Sequence, residues 1–282
     1  MALLSIISKP EGSGGYISYS YHLARALSSD LHLVYVENPD NYPLGTPNTT
    51  GEATVHLHRQ LEKSTEEAYR VISRQVEETI DRSVEDPAID ITTDIDSEKV
   101  VIRRMTGEND IQLLVLENQG MDGFWSGNVR TREIIRDAEC PVWIVPPDPV
   151  FQEPDNIVYA TDYTEHDVNT LVRLVQMLGS FSPTITALHI TENVDFELKI
   201  KEAGFQKMLQ ADTGYGRINV NALTGNGGDT SRLINGYAVG IGANLLVVLK
   251  ENRTFLERIF KSSETNRIVK HAAIPVLVFH EQ

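Results

Sequence analysis

The sequence is poor in cysteine and in basic residues. Cys140 is the one cysteine among 282 residues, which excludes an intrachain disulfide and a zinc site built from several thiolates. Lys and Arg number 25 against 40 Asp and Glu, so the net charge is −15. Because an acidic surface repels phosphate backbones and anionic lipid, we expect neither a nucleic-acid-binding protein nor a membrane-surface protein.

Long apolar runs are also missing. No uncharged apolar run approaches the roughly 18 residues that a membrane-spanning helix needs. The first eight residues are mostly apolar, but no basic segment precedes them, and the run ends at Lys9 and Pro10. This run is too short for the apolar region of a secretion signal. We therefore expect a cytoplasmic protein with no membrane segment.

The chain contains an internal repeat. Residues 140–145 (CPVWIV) and 274–279 (IPVLVF) each follow a helical pattern, and residues 33–38 (LVYVEN) are matched by 188–193 (LHITEN). The blocks recur in the same order, which indicates a duplicated domain.

A proline-rich linker separates the two halves. Four prolines fall within residues 146–154, a density that excludes a helix or a central strand. The sequence therefore predicts one domain over 1–147 and a second over 148–282.

Each half alternates short apolar segments with segments of helical periodicity. This alternation predicts the α/β class, with a parallel five-stranded sheet covered by helices on both faces. Ligands of such sheets bind beyond the carboxyl ends of the strands. In the second half, the predicted strands are 156–161, 184–190, 217–222, 244–249 and 274–279.

The segment 156–165 (NIVYATDYTE) joins an apolar strand to a Thr-Asp pair and a polar helix start. It resembles the opening of a universal stress protein domain, and the Pro-Val endings of both halves are similar to the endings of those domains. The resemblance implies two tandem Rossmann-like domains of the adenine-nucleotide alpha hydrolase-like type. It further implies a non-catalytic binding or regulatory protein of the stress response, and a homodimer.

The resemblance also implies where an adenine nucleotide such as ATP would bind. Nucleotide-binding members carry an Asp after the first strand and a glycine-rich loop after the fourth. In the second half Asp162 is present, but the loop positions hold Leu249, Asn252, Ser262 and Ser263, of which only Ser263 matches. Since side chains replace the glycines that let amides approach phosphates, we expect ATP binding to be weak or lost, and we assign no certain cofactor.

The second half nevertheless carries the more complete site, because the first half has no Asp after its first strand. By the resemblance, Asp162 would accept a hydrogen bond from a ribose hydroxyl or a base. Ala160, Thr161 and Ile190 would line the adenine pocket, and Ser263 would face the phosphates. His189 lies near the same strand end, and its position is more typical of a half-buried, hydrogen-bonded histidine than of a ligand.

Two alternative functions remain open. The segment Ser13–Ser18 (SGGYIS) resembles the phosphate loop of PP-loop ATP pyrophosphatases, which would make the protein an ATP-using enzyme, although Ile17 replaces the Asp of that loop. Residues 255–260 form an amphipathic segment that would suit an unknown protein partner, as in a pure interaction module. Histidines at 56, 58 and 166 have no partner cluster at ligand spacing, so we predict no metal site.

Overall fold

The structure, a computed structural model, describes residues 2–42, 51–81, 86–107, 110–118, 134–225, 230–250 and 274–281. The chain divides into two compact units. The first consists mainly of Met1–Glu117 and the second mainly of Gln152–Gln282. Each unit alternates strands and helices.

The described residues of the first half form five strands, the helices α1 to α3, a short 3-10 helix at Pro39–Asn41 and a helical turn at 134–137. Its parallel strands are paired in the order β3-β2-β1-β4, and the Pro141 carbonyl, just before β5, accepts a hydrogen bond from the Leu114 amide of β4 at 3.0 Å. The elements are β1 (Ala2–Ile7), α1 (Gly14–Ala26), β2 (Asp30–Glu37), α2 (Gly51–Thr79), β3 (Ile89–Ile95), α3 (Glu98–Gly107), β4 (Ile111–Glu117) and β5 (Val142–Val145).

The second half repeats this arrangement. Its five parallel strands are paired in the order β10-β9-β6-β7-β8. Each strand begins and ends within two residues of the bounds predicted from the sequence. The elements are β6 (Asn156–Ala160), α4 (Glu165–Leu178), β7 (Thr184–Thr191), α5 (Phe196–Thr213), β8 (Ile218–Thr224), α6 (Thr230–Gly240), β9 (Leu245–Lys250) and β10 (Val276–His280).

Helix α4 shows how the sequence positions the strand ends. Thr164 caps its N-terminus, and Asp167 completes a capping box, which satisfies amides that the first helical turn leaves unpaired. Val168, Leu171 and Leu174 are spaced by three residues and are buried, so one helix face packs onto the sheet. The cap therefore fixes where the chain turns from β6 into α4.

Candidate functional site

The carboxyl ends of β6, β7 and β8 lie at one edge of the second sheet, because the three strands are parallel and adjacent. Ala160 ends β6 and is buried, as is Thr161. Asp162 follows at the edge with 43% of its side chain exposed. Ile190 lies near the end of β7. Four of the five predicted site residues are thus placed on two neighbouring strand ends, and Ser263 lies outside the described residues.

A buried carboxylate, Asp167, holds the turn between β6 and α4. Its oxygens accept hydrogen bonds from the Tyr159 hydroxyl at 2.6 Å and the Thr161 hydroxyl at 2.9 Å. They also accept from the amides of Asp162 at 3.1 Å and Thr164 at 2.9 Å, and from the Thr164 hydroxyl at 3.0 Å. Hydrogen bonds to an ionised acceptor are stronger than neutral ones, so Asp167 fixes the backbone that presents Asp162.

This role of Asp167 was missed in the sequence analysis. The signal was present, since Thr164 and Asp167 have the Ser/Thr-x-x-Asp/Glu spacing of a capping box before an apolar run. The spacing alone does not reveal the additional bonds from Tyr159 and Thr161. Those depend on the register between the strand and the helix, which only the tertiary structure supplies.

His189 joins the two strand ends. Its Nδ1 donates to the Thr161 carbonyl at 2.8 Å and lies 3.5 Å from the Asp162 carboxylate. Burial by itself lowers the pKa of His189, but the hydrogen bonds with Asp162 and Thr161 and the charges of Asp162 and Asp167 together raise that pKa above its ordinary value. This geometry is that of a half-buried, hydrogen-bonded histidine, as the sequence position of His189 indicated.

The side chain of Tyr163 lies against His189. The two ring centroids are 4.7 Å apart, and the Tyr163 ring is 5.0 Å from that of Phe205 on α5. The Tyr163 hydroxyl donates to the Asn221 carbonyl of β8 at 3.3 Å. Burial, with a smaller contribution from the charge of Glu202, raises the pKa of Tyr163, so the hydroxyl remains a donor.

His189 and Ile190 face opposite sides of the sheet, because successive residues of a strand alternate. The His189 side is filled by Tyr163 and Phe205. On the Ile190 side there is an open pocket of about 590 Å³. Ile190 therefore borders the open pocket, whereas His189 packs against Tyr163.

Carboxylates border this open pocket. Its lining residues come from the end of β7, the start of α5, the end of β8 and the start of α6, and they are Ile190, Thr191, Glu192, Asn193, Asp195, Gly225 and Thr230. A Cβ at Gly225 would lie 2.0 Å from the Cδ1 atom of Leu233, so the Leu233 side chain would have to move to admit a larger residue there. None of the described lining residues is basic.

The corresponding edge of the first unit is closed by its own helix α2. The hydroxyls of Ser64 on α2 and of Tyr35 donate to the buried Glu37 carboxylate at the end of β2. Gln75 on α2 donates to the Pro10 carbonyl. Helix side chains therefore occupy the strand edge that a ligand would need.

Ser13, which begins the segment that resembles a PP-loop, is hydrogen-bonded within the first unit. Ser13 is only 4% exposed, and its hydroxyl donates to the Pro10 carbonyl at 2.8 Å and lies 3.3 Å from the Gln75 amide oxygen. A Cβ on Gly14 would meet the Thr79 hydroxyl at 3.3 Å. The described geometry leaves the Ser13 hydroxyl no free approach to a phosphate.

The remaining sequence predictions concern histidines, metal sites, membrane helices and the segment before β10. His58 pairs with Glu62 at 3.2 Å and His166 with Glu281 at 3.1 Å. Among the residues that the structure describes, no three His, Cys, Asp or Glu side chains converge as a metal site. No helix in the described part of the chain is long and apolar enough to cross a bilayer. The residues 252, 255–260, 262 and 263, on which further predictions depend, lie outside the described ranges.

The family of the chain is shown by comparison with models of protein families. The model of the universal stress protein family matches twice, over residues 7–146 and 154–280. The chain belongs to the universal stress protein family. The tandem arrangement expected from the sequence repeat is thereby confirmed, as are the two Rossmann-like α/β domains.

Solved structures with the same architecture include proteins from an archaeon and a bacterium. A universal stress protein from Archaeoglobus fulgidus is 13% identical with a TM-score of 0.64, over 99% of this chain and 96% of that one. A functionally unknown protein from Pseudomonas aeruginosa PAO1 is 15% identical with a TM-score of 0.57, over 99% and 92%.

A third similar structure belongs to a transport protein. The cytoplasmic domain of a prokaryotic cation chloride cotransporter is 13% identical with a TM-score of 0.53, over 98% of this chain and 94% of that one. At such identities these similar structures establish the fold alone. No curated protein sequence matches the chain.

Proposed function

We propose that this universal stress protein is a non-catalytic binding and regulatory protein of the stress response, with its ligand site in the second domain. ATP binds there weakly or not at all. The protein acts in the cytoplasm as a homodimer that transmits the ligand state to a protein partner. The boundary between the two domains falls in the proline-rich linker, between residues 147 and 148.

The single observation that carries the proposal is the difference between the two strand edges. In the second unit Asp162 is exposed at the edge, and a pocket of about 590 Å³ lies at the ends of β7 and β8. In the first unit, α2 covers the equivalent edge through Ser64 and Gln75. The pocket and the exposed Asp162 carboxylate are separate features of the same strand edge, and Ile190 is the predicted site residue that lines the pocket. Both features support access for a small ligand at this edge.

Charge supports weak ATP binding. Glu192 and Asp195 line the pocket, and no described lining residue is basic. Two like charges about 4 Å apart repel by about 1 kcal/mol in bulk water and by more at a partly buried site. A triphosphate carries several negative charges, so the pocket favours an uncharged nucleoside over ATP.

A thermal-shift titration tests the site. Wild-type protein, Asp162→Ala and Asp212→Ala are titrated with adenosine, AMP, ADP and ATP, each with and without Mg²⁺. Asp212 is an exposed carboxylate on α5 and serves as the matched control. A ligand that binds only the folded state adds about 2.7 kcal/mol of stability at a hundredfold excess over its dissociation constant.

We expect adenosine to raise the melting temperature more than ATP does, and the rise to disappear in Asp162→Ala but persist in Asp212→Ala. Phosphate release from ATP, measured on the same samples, should stay at the level of a protein-free control. Absence of any shift with all four ligands would refute the site. Sustained ATP turnover by wild-type protein would refute the non-catalytic assignment.

A further inference from the structure

Tyr163 has a backbone conformation that aromatic residues rarely adopt. Its φ is +59°, in the left-handed region, which carries an energetic cost for a residue with a Cβ. Three contacts compensate for this cost. They are the ring contacts with His189 and Phe205 and the hydroxyl bond to Asn221. The contacts of its side chain therefore hold Tyr163, the residue directly after Asp162, in this strained backbone conformation.

The ring of Tyr163 occupies a space with aromatic walls. Its centroid is 4.7 Å from that of His189, with an interplanar angle of 35°, and 5.0 Å from that of Phe205, with an interplanar angle of 46°. These separations are typical of favourable aromatic pairs. Removing the phenol side chain would leave a gap bordered by these two aromatic side chains.

The polar groups around this gap suit a nucleobase. The Asn221 carbonyl now accepts from the Tyr163 hydroxyl, and an exocyclic amino group could donate to it in the same way. The carboxylate of Asp162 lies at the mouth, 3.5 Å from His189 Nδ1, and is partly exposed. An acceptor for a ribose hydroxyl is therefore present beside an aromatic slot.

We propose that Tyr163 determines the ligand specificity of the second domain by occupying the slot between His189 and Phe205, which receives a planar base when Tyr163 leaves. The phenol ring is a built-in occupant that competes with the base for the same walls and the same carbonyl. This inference rests on the proposed function, because both concern the strand edge that carries Asp162.

The test removes the ring while keeping the backbone. Tyr163→Gly is the suitable variant, since glycine adopts a φ of +59° without strain. Tyr163→Asn is a second variant, because asparagine also tolerates the left-handed region. Tyr163→Phe is the matched control, since it keeps the ring and loses only the hydroxyl. Adenosine, which is uncharged, is the probe, and its dissociation constant is measured by calorimetry.

We expect adenosine to bind Tyr163→Gly and Tyr163→Asn at least about tenfold more tightly than wild-type protein, a difference of about 1.4 kcal/mol. Binding to Tyr163→Phe should match the wild type. Adenosine should also shift the ring resonances of His189 in the Gly variant, with the assignment made through His189→Gln. No gain in folded Gly and Asn variants overturns the proposal, as does a gain that leaves the His189 resonances unmoved. Failure of both variants to fold overturns it too, because the ring would then be a structural element and not a replaceable occupant.

The outcomes also separate this inference from the proposed function. If the Gly variant gains adenosine while wild-type protein responds to no nucleotide or nucleoside, the slot exists but the natural protein is not a nucleoside sensor. If wild-type protein responds through Asp162 and the Gly variant gains nothing, the site stands and Tyr163 does not control it.

Discussion

At the residue scale, the strand edge of the second domain is organised around interactions among Asp162, Asp167 and His189. Asp167 fixes the turn, and His189 connects it to β7 through the Thr161 carbonyl. Asp162 is left with a partly exposed carboxylate. One acidic residue is therefore used for structure, while its neighbour remains accessible to a ligand.

The contribution of His189 to stability should depend on pH. Folding raises the pKa of His189. The protonated His189 side chain therefore contributes fully to the unfolding free energy below about pH 6.5, the pKa of histidine in the unfolded chain. This contribution is lost as the pH rises through the pKa of His189 in the folded protein. We expect His189→Gln to cost more stability at about pH 5.5 than at about pH 8.5. The difference should be under about 1 kcal/mol, since solvent screens Asp162.

Urea denaturation at both pH values measures this effect. His56→Gln, at an exposed position on α2, is the control for replacing a histidine by glutamine. A His189→Gln penalty that is independent of pH, or larger at high pH, would contradict the assigned ion pair.

At the scale of secondary-structure elements, the two domains differ in how the strand edge is covered. Helix α2 extends over 29 residues and reaches both the end of β2 and the loop after β1. In the second domain α5 is 18 residues long, and a pocket remains at its N-terminal end. The duplicated elements have therefore diverged in length, and with them the access to the site.

The junction between β6 and α4 should be sensitive to Asp167. Asp167→Ala removes a buried acceptor to which the Tyr159 and Thr161 hydroxyls and two amides donate. We expect a loss of about 3 kcal/mol of unfolding free energy. Asp195→Ala, which removes a helix cap with one bond to the Leu198 amide, should cost only about 1 kcal/mol. Equal losses in urea denaturation would show that Asp167 is no more than a helix cap.

At the scale of the whole molecule, the charge and the single cysteine define how the protein behaves in solution. The net charge of −15 favours solubility and discourages anionic partners. Cys140 is 6% exposed. Burial raises the pKa of its thiol to about 12, and a thiol that is neither ionised nor accessible is inert.

Cys140 should therefore report unfolding. In native buffer near neutral pH, we expect a thiol reagent such as dithionitrobenzoate to react with Cys140 at least about a hundredfold more slowly than in denaturing urea. The reaction is followed by absorbance, with free glutathione as the control for reagent activity. Rapid and complete labelling of the native protein would contradict the buried position.

The sequence by itself determined the fold and its duplication. Apolar strand segments, helical periodicity and repeated Pro-Val endings are local patterns, and burial follows directly from them, so the strands of the second half were predicted within two residues. It also placed Ala160, Thr161, Asp162 and Ile190 at neighbouring strand ends, because parallel strands end at one edge.

Only the tertiary structure decided what surrounds those residues. That α2 closes the first edge, that His189 and Ile190 face different compartments, and that Tyr163 lies between His189 and Phe205 all depend on contacts between elements distant in sequence. Such contacts arise from packing directions and helix positions. Local residue patterns do not determine these contacts, because whether a given side chain faces protein or solvent depends on its neighbours in space.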